Sequence, residues 1–173
     1  IAENYHIPYL NADMNIDWVG VKTGDVNGSY VTNVNSNKSN NRSVKVQFEV
    51  KEQTLIEGRS VVPVYASEDI TIDGFQISLP VQNVNDVHVT NGSLAINDDQ
   101  YSFVDGLLNI AWHQNKSAKV NKGDLLFFLH VDAKYNDQLS HVLLTDVRQG
   151  LNPEMYHTNG SIQNIGWRLL RDS

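Results

Sequence analysis

The chain is 173 residues long and 40% hydrophobic, with a formal net charge of −7 and a pI near 5.2. That length can bury a core, and the negative balance argues against nucleic acid or an anionic membrane as partner, since both are polyanions. Cysteine is absent, which removes disulfides, thiolate catalysis and cysteine-ligated zinc together, and no apolar run is long enough to span a bilayer. The chain begins at Ile1 and not at Met, which reads as a processed or excised piece.

The first stretch with chemical content is VGVKTGDVNGSYVTNV, residues 19–34. Asp25, Asn27 and Ser29 carry side-chain oxygen at alternate positions around Gly28. A calcium loop of the EF-hand kind takes ligands at positions 1, 3, 5, 9 and 12, the last a carboxylate, and leads into a helix. Counted from Asp25, those positions hold Asp25, Asn27, Ser29, Asn33 and Ser36. The last is a serine and no helical pattern follows, so the loop is incomplete. Two readings stay open: an Asx-type turn with Gly28 at positive φ, or a remnant calcium site with Asp25 and Asn27 as its donors. Under the second reading calcium is the cofactor; under the first there is none. Ile16, Trp18, Val19 and Val21 are too apolar to be left in water, so this segment is expected to dock.

SNKSNNRS, residues 36–43, has no apolar residue and reads as a linker. The expected organisation is a segment over 1–34, a polar linker over 35–43 and a domain over 44–173.

The domain reads as strands. Val44, Val46, Phe48 and Val50 alternate with Lys45, Gln47, Glu49 and Lys51, the period of a half-buried strand. SVVPVYAS is a second strand, and its Pro63 predicts an edge or a bulge because proline cannot donate to a ladder. In DITIDGFQISLPV the apolar phase slips at Asp73-Gly74, which predicts a bulge. DVHVTNGSLAI carries a turn at Asn91-Gly92, and QYSFVDGLLNIAWHQ is a hairpin turning at Asp105-Gly106. DLLFFLHVDAKY is almost continuously apolar and predicts a central strand buried on both faces. LSHVLLTDV and SIQNIGWRLL complete the set. No amphipathic helix is expected, and residues 149–158 hold at most one irregular turn. Eight or nine short strands punctuated by Gly, Asn and Asp predict an all-β antiparallel sandwich with a short N-terminal extension.

Catalytic patterns are hard to find. His6, His88, His113, His130, His141 and His157 are scattered, without His-Glu-x-x-His or His-x-His spacing. His88 and His130 fall inside strands, where a solvent-facing or hydrogen-bonded role is expected. Asp98-Asp99 and Glu68-Asp69 are sequence neighbours in turns, not facing acid/base partners. Trp112 shares its phase with Leu108 and Ile110, and Trp167 with Ile165 and Leu169, so both tryptophans read as core. Tyr135 and Tyr156 lie in connections and are the aromatic platforms that a carbohydrate ligand would use.

Three stretches together carry a resemblance: NADMNIDWVGVKTGDVNGS, KVQFEVKEQTLIEGRSVVPVYASEDITIDGFQISL and GLLNIAWHQ. They resemble a module of large bacterial proteins exported by the type IX system. There a dockerin-like segment ends in a GDVNG turn and a cohesin-like sandwich follows, of the superfamily that also holds carbohydrate-binding modules. The resemblance implies a nine-stranded jelly-roll-like sandwich. It also implies a secreted or cell-surface bacterial location, and a non-catalytic role in adhesion or assembly with a dockerin-like segment or a neighbouring module as partner. A carbohydrate-binding module that takes polysaccharide is the alternative. An accessory domain of an exported hydrolase is the third reading.

Overall fold

Side-chain alternation decides which strands form and how they face. A computed structural model describes residues 46–172, and everything structural below concerns them. Asp25 and Asn27, with the rest of the 1–34 segment, lie outside the described residues.

The strands are β1 (Val46–Lys51), β2 (Thr54–Leu55), β3 (Gly58–Ala66), β4 (Ile70–Pro80), β5 (Val84–Asn91), β6 (Tyr101–Val104), β7 (Leu107–Val120), β8 (Leu125–Ala133), β9 (Asp137–Gln138), β10 (Glu154–Tyr156) and β11 (Ile162–Leu170). Nine of them join in the order β5-β8-β3-β1-β11-β10-β4-β7-β6, and β2 and β9 form a separate pair. Every pairing is antiparallel except β1 with β11. The described residues are therefore all-β apart from single helical turns, as the patterning predicts.

β11 joins the two layers. Its Ile162–Asn164 half pairs with β10, and its Ile165–Leu170 half runs parallel to β1. The path nearly closes on itself, because His88 Nδ1 of β5 lies 3.4 Å from the Tyr101 hydroxyl of β6. The core lies between the layers. Phe48 of β1 meets Phe75 of β4 edge-on at 4.9 Å and touches Phe127 and Trp167 at 5.8 and 5.6 Å. Phe75 stacks on Trp112 and Phe127. Trp112 is buried, as its phase predicts, and its Nε1–H donates to the Ala95 carbonyl at 2.8 Å. Burying each such side chain is worth about 1.5–3 kcal/mol.

The Asp105-Gly106 turn is as expected. Both residues have positive φ, 52° and 76°, the geometry that closes a two-residue hairpin. The Asp73-Gly74 slip is a bulge too, but most of the extra chain sits on the partner strand. Ile72 faces Ala118 and Gly74 faces His113, so residues 114–117 of β7 loop outward. Ser117 Oγ staples that loop back to Asp73.

Four expectations are corrected. Of the edge or bulge expected at Pro63 the edge is not found, since β3 lies between β8 and β1, whereas the β3–β8 register does shift next to it, between Val64 and Tyr65. The ladder to β1 covers only Tyr65 and Ala66, so Pro63 sits beyond its end and forfeits no bond there. β8 is not buried on both faces: Leu129, Val131 and Ala133 point inward, while Phe128, His130 and Asp132 are half-buried on the outside. LSHVLLTDV is not a strand. It forms one helical turn, α1 (Leu139–Val142), because Leu139, Val142 and Leu143 are spaced to bury together on one helix face. Within 149–158 the chain forms β10, which enters between β4 and β11 and buries Met155.

Candidate functional site

The outer face of the β10-β4-β7-β6 layer follows from strand phase. Phe75, Ile77 and Leu79 of β4 point into the core, as do Leu108, Ile110 and Trp112 of β7. Gly74, Gln76 and Ser78 therefore face outward. The register sets Tyr156 of β10, Gly74 and His113 in one row, and Glu154, Gln76 and Ala111 in the next. Ser78, Asn109 and Ser102 make a third row, with Leu107 and Val104 beyond it.

Two properties set this face apart. It is low in relief, because Gly74 has no side chain and Ala111 and Ser102 have short ones. Between the bulge and the Asp105-Gly106 hairpin it is also nearly free of charge: these rows hold Glu154 as their only carboxylate and no Lys or Arg, and Lys119, opposite Thr71, lies on the far side of the bulge. Its margins are apolar. Val104 is 60% exposed at one side, and Ile162, opposite Tyr156, is 44% exposed at the other. Monomeric surfaces scatter exposed apolar groups singly, whereas charge depletion with an aromatic and several aliphatics marks the centre of a protein contact.

Glu154 is tied down on this face. It accepts a hydrogen bond from the Tyr156 hydroxyl at 3.1 Å. Burial, and then this bond to a carboxylate, push the Tyr156 hydroxyl up to about 12. Tyr156 is thus half-buried and neutral across the physiological range. Tyr135, the other aromatic named from the sequence, is 48% exposed in the connection after β8, which belongs to the other layer. The two tyrosines do not form one platform.

The upper end of the face is strapped by the segment 144–153. Leu144 N–H donates to the Pro80 carbonyl at 2.9 Å, and Gln76 Nε2 donates to the Asn152 carbonyl at 3.0 Å. Ser78 Oγ donates to Asn109 and accepts from Leu151 N–H. Ser78 therefore does not join the open polar surface that strand alternation predicts for it. β10 is too short to cover all of β4, and Trp167 fills the gap with its Nε1–H on the Ser78 carbonyl at 3.1 Å. A cavity of about 240 Å³ remains between Trp167 and the strap.

The opposite outer face, on β5-β8-β3-β1, is charged. Rows defined by register carry Asp86, Asp132 and Arg59, then His88, His130 and Val61, then Thr90, Phe128 and Pro63. Arg168 of β11 pairs with Glu49 of β1, and Lys51 lies 5.4 Å from the centre of the Tyr65 ring.

One cluster has the residue types of nucleophilic catalysis but not their arrangement. Asp73, Ser117, Thr158 and His157 meet beside the bulge. The hydrogen bonds from Ser117 and then Thr158 hold the Asp73 carboxyl below its usual range. Both nitrogens of His157 are engaged elsewhere, by the Thr71 carbonyl at 2.9 Å and by Gln163 at 3.1 Å. Ser117 gives its proton to Asp73 and makes no bond to the imidazole, so the base that a nucleophilic serine needs is not in place. Its work is to staple the bulge. Among the described residues no three His, Asp or Glu side chains converge as a metal centre, and no helix is long and apolar enough to cross a membrane.

No family model and no curated protein matches the chain. The chain is similar to a solved structure. That structure is a non-cellulosomal cohesin from the hyperthermophilic archaeon Archaeoglobus fulgidus, at 16% identity, over 75% of this chain and 93% of that one, with a TM-score of 0.47.

Sequence reasoning named Tyr156 but missed Val104, Ala111 and Ile162. A signal for them was present. Ala111 is out of phase with Ile110 and Trp112, and Ile162 with Ile165 and Trp167, so each is an apolar residue at an outward position.

Proposed function

We propose that this chain is a non-catalytic extracellular protein-interaction module of a multi-domain secreted bacterial protein, and that it holds a dockerin-like segment on the outer face of the β10-β4-β7-β6 layer. The charge depletion of that face carries the reading. A broad, low surface of Gln76, Ala111, Asn109 and Ser102 with apolar margins at Ile162 and Val104 fits a packed protein element better than a sugar ring, which needs an open aromatic plane and converging polar groups. The choice of partner rests on the sequence resemblance described above.

The test is a calorimetric titration of a protein of residues 44–173 with a calcium-loaded segment carrying a complete pair of dockerin loops. Saturable binding that falls at least about tenfold in Ala111→Arg and in Val104→Glu is expected, a loss of about 1.4 kcal/mol or more. The competing outcome is retention on insoluble polysaccharide, lost in Tyr135→Ala or Tyr156→Ala, with no binding of the segment. That would replace the protein-contact reading with the carbohydrate one.

A further inference from the structure

We propose that His88 and His130 form a two-imidazole chelate for a late first-row divalent cation, on the charged face opposite the proposed protein contact and independent of it. β5 and β8 are antiparallel, and their register places His88 directly across from His130. Both side chains face outward, because Val87, Val89, Leu129 and Val131 are buried on the inner side. Directly opposed residues have Cβ atoms about 4.5–5.5 Å apart, and metal–imidazole nitrogen bonds are about 2.0–2.1 Å long. The two imidazoles can therefore close on one ion without any movement of the backbone once the His88 ring turns, since its Nδ1 as it stands points to Tyr101 of β6, on the side of β5 away from β8.

The surroundings favour a cation and orient the rings. Asp86 and Asp132 form the adjacent row. His88 Nε2 lies 2.7 Å from Asp86 Oδ2, with the two side chains 52% and 48% exposed. His130 Nε2 lies 2.7 Å from Thr90 Oγ1. An oxygen partner on one ring nitrogen is the arrangement that fixes a ligating imidazole and raises its basicity. The His88 Nδ1 contact to the Tyr101 hydroxyl, at 3.4 Å, is long enough to yield to a metal. Arg59, opposite Asp132 on β3, is the opposing charge on this patch. Among the described residues no third His, Asp or Glu converges with the two rings as they stand, so water would complete the coordination of a bound ion. Two nitrogens and water suit Cu(II) best, then Ni(II) and Zn(II), in the order of their affinity for imidazole.

The experiment is a Cu(II) and Zn(II) titration of the full chain, with electron paramagnetic resonance of the copper form. Saturable binding tighter than about 1 mM is expected, with nitrogen hyperfine structure from two imidazoles. His88→Ala and His130→Gln should each abolish the two-nitrogen signal, and Asp86→Asn should weaken binding by about tenfold or more. Because His88 is exposed and His130 and Asp86 are half-buried on the outer face, clear of the core, circular dichroism of the variants should match the parent. No saturable binding, a copper signal without two imidazoles, or an affinity unchanged in His88→Ala would each overturn the proposal.

Discussion

The two outer faces of this sandwich are built from strands with the same inward alternation, yet they present different chemistry. On β5-β8-β3-β1 the outward positions hold Arg59, Asp86, Asp132, His88, His130, Glu49 and Lys51. On β10-β4-β7-β6 the rows between the bulge and the Asp105-Gly106 hairpin hold Gly74, His113, Gln76, Ala111, Asn109, Ser102 and Tyr156, with Glu154 their only carboxylate, while Asp73 and Lys119 lie at and beyond the bulge. Folding asks only that the inner positions be apolar. The outer positions are free to vary, so a contrast between them reports on function and not on the fold. Charge keeps one face hydrated, and its scarcity leaves the other open to a packed partner.

Variants can break that contrast in graded steps. The largest effect should come from the core that both faces share. Phe48→Ala removes the ring that touches Phe75, Phe127 and Trp167 at once and should cost about 3–5 kcal/mol in urea denaturation, degrading both faces alike. A value below about 1 kcal/mol would mean that the two layers do not depend on this contact.

A smaller effect should separate the faces. Gly150 has φ +82°, and a Cβ there would collide with the Ser78 hydroxyl. Gly150→Ala should cost about 1–3 kcal/mol by dislodging the strap from the β4 end of the charge-poor face. Hydrogen exchange should quicken at Leu144 and Leu151, while β5 and β8 keep their protection. Equal loss of protection on both layers would contradict a local role for the strap.

Smaller still are the exposed positions. Val61→Asp on the charged face and Val104→Glu on the other should each change stability by less than about 0.5 kcal/mol, but only the second should weaken partner binding. If Val61→Asp abolished binding and Val104→Glu did not, the assignment of faces would be reversed.

The last effect is confined to alkaline pH. Tyr156 in the folded chain ionises at about 12, against 10.0 for the free side chain. Between those values the unfolded chain has lost this proton and the folded chain still holds it. Stability from this group is therefore complete below about pH 10 and is lost as pH rises through about 12. An absorbance titration should show one late-ionising tyrosine, absent in Tyr156→Phe. A parent-minus-variant difference that titrates near 10 would place the hydroxyl in open solvent.

Much of the fold was legible because alternation is local. Val46, Phe48 and Val50, the Asp105-Gly106 hairpin and the phase slip at Asp73-Gly74 all announce themselves within a few residues. What was missed depends on partners distant in sequence. β10 exists because β4 and β11 leave a slot for Glu154–Tyr156, and three residues carry too short a pattern to show a period. Pro63 signalled an edge or a bulge; the register does shift beside it at Val64/Tyr65, but the strand is internal and its ladder to β1 simply ends at Tyr65, which only the pairing reveals. In α1, three buried residues at helical spacing resemble an apolar strand when read as a run. The charge-poor face was hidden for a related reason. Its rows combine residues from four strands, from Gly74 to Ile162, and no single stretch shows that charge is missing.

The most direct test of the central claim is chemical-shift mapping of a protein of residues 44–173 on addition of the dockerin-type segment. The account predicts that the amide shifts cluster at Gly74, Gln76, Ala111, Ser102, Val104 and Ile162, with β5 and β8 unmoved. Shifts centred instead on Val61, His130 and Phe128 would contradict it.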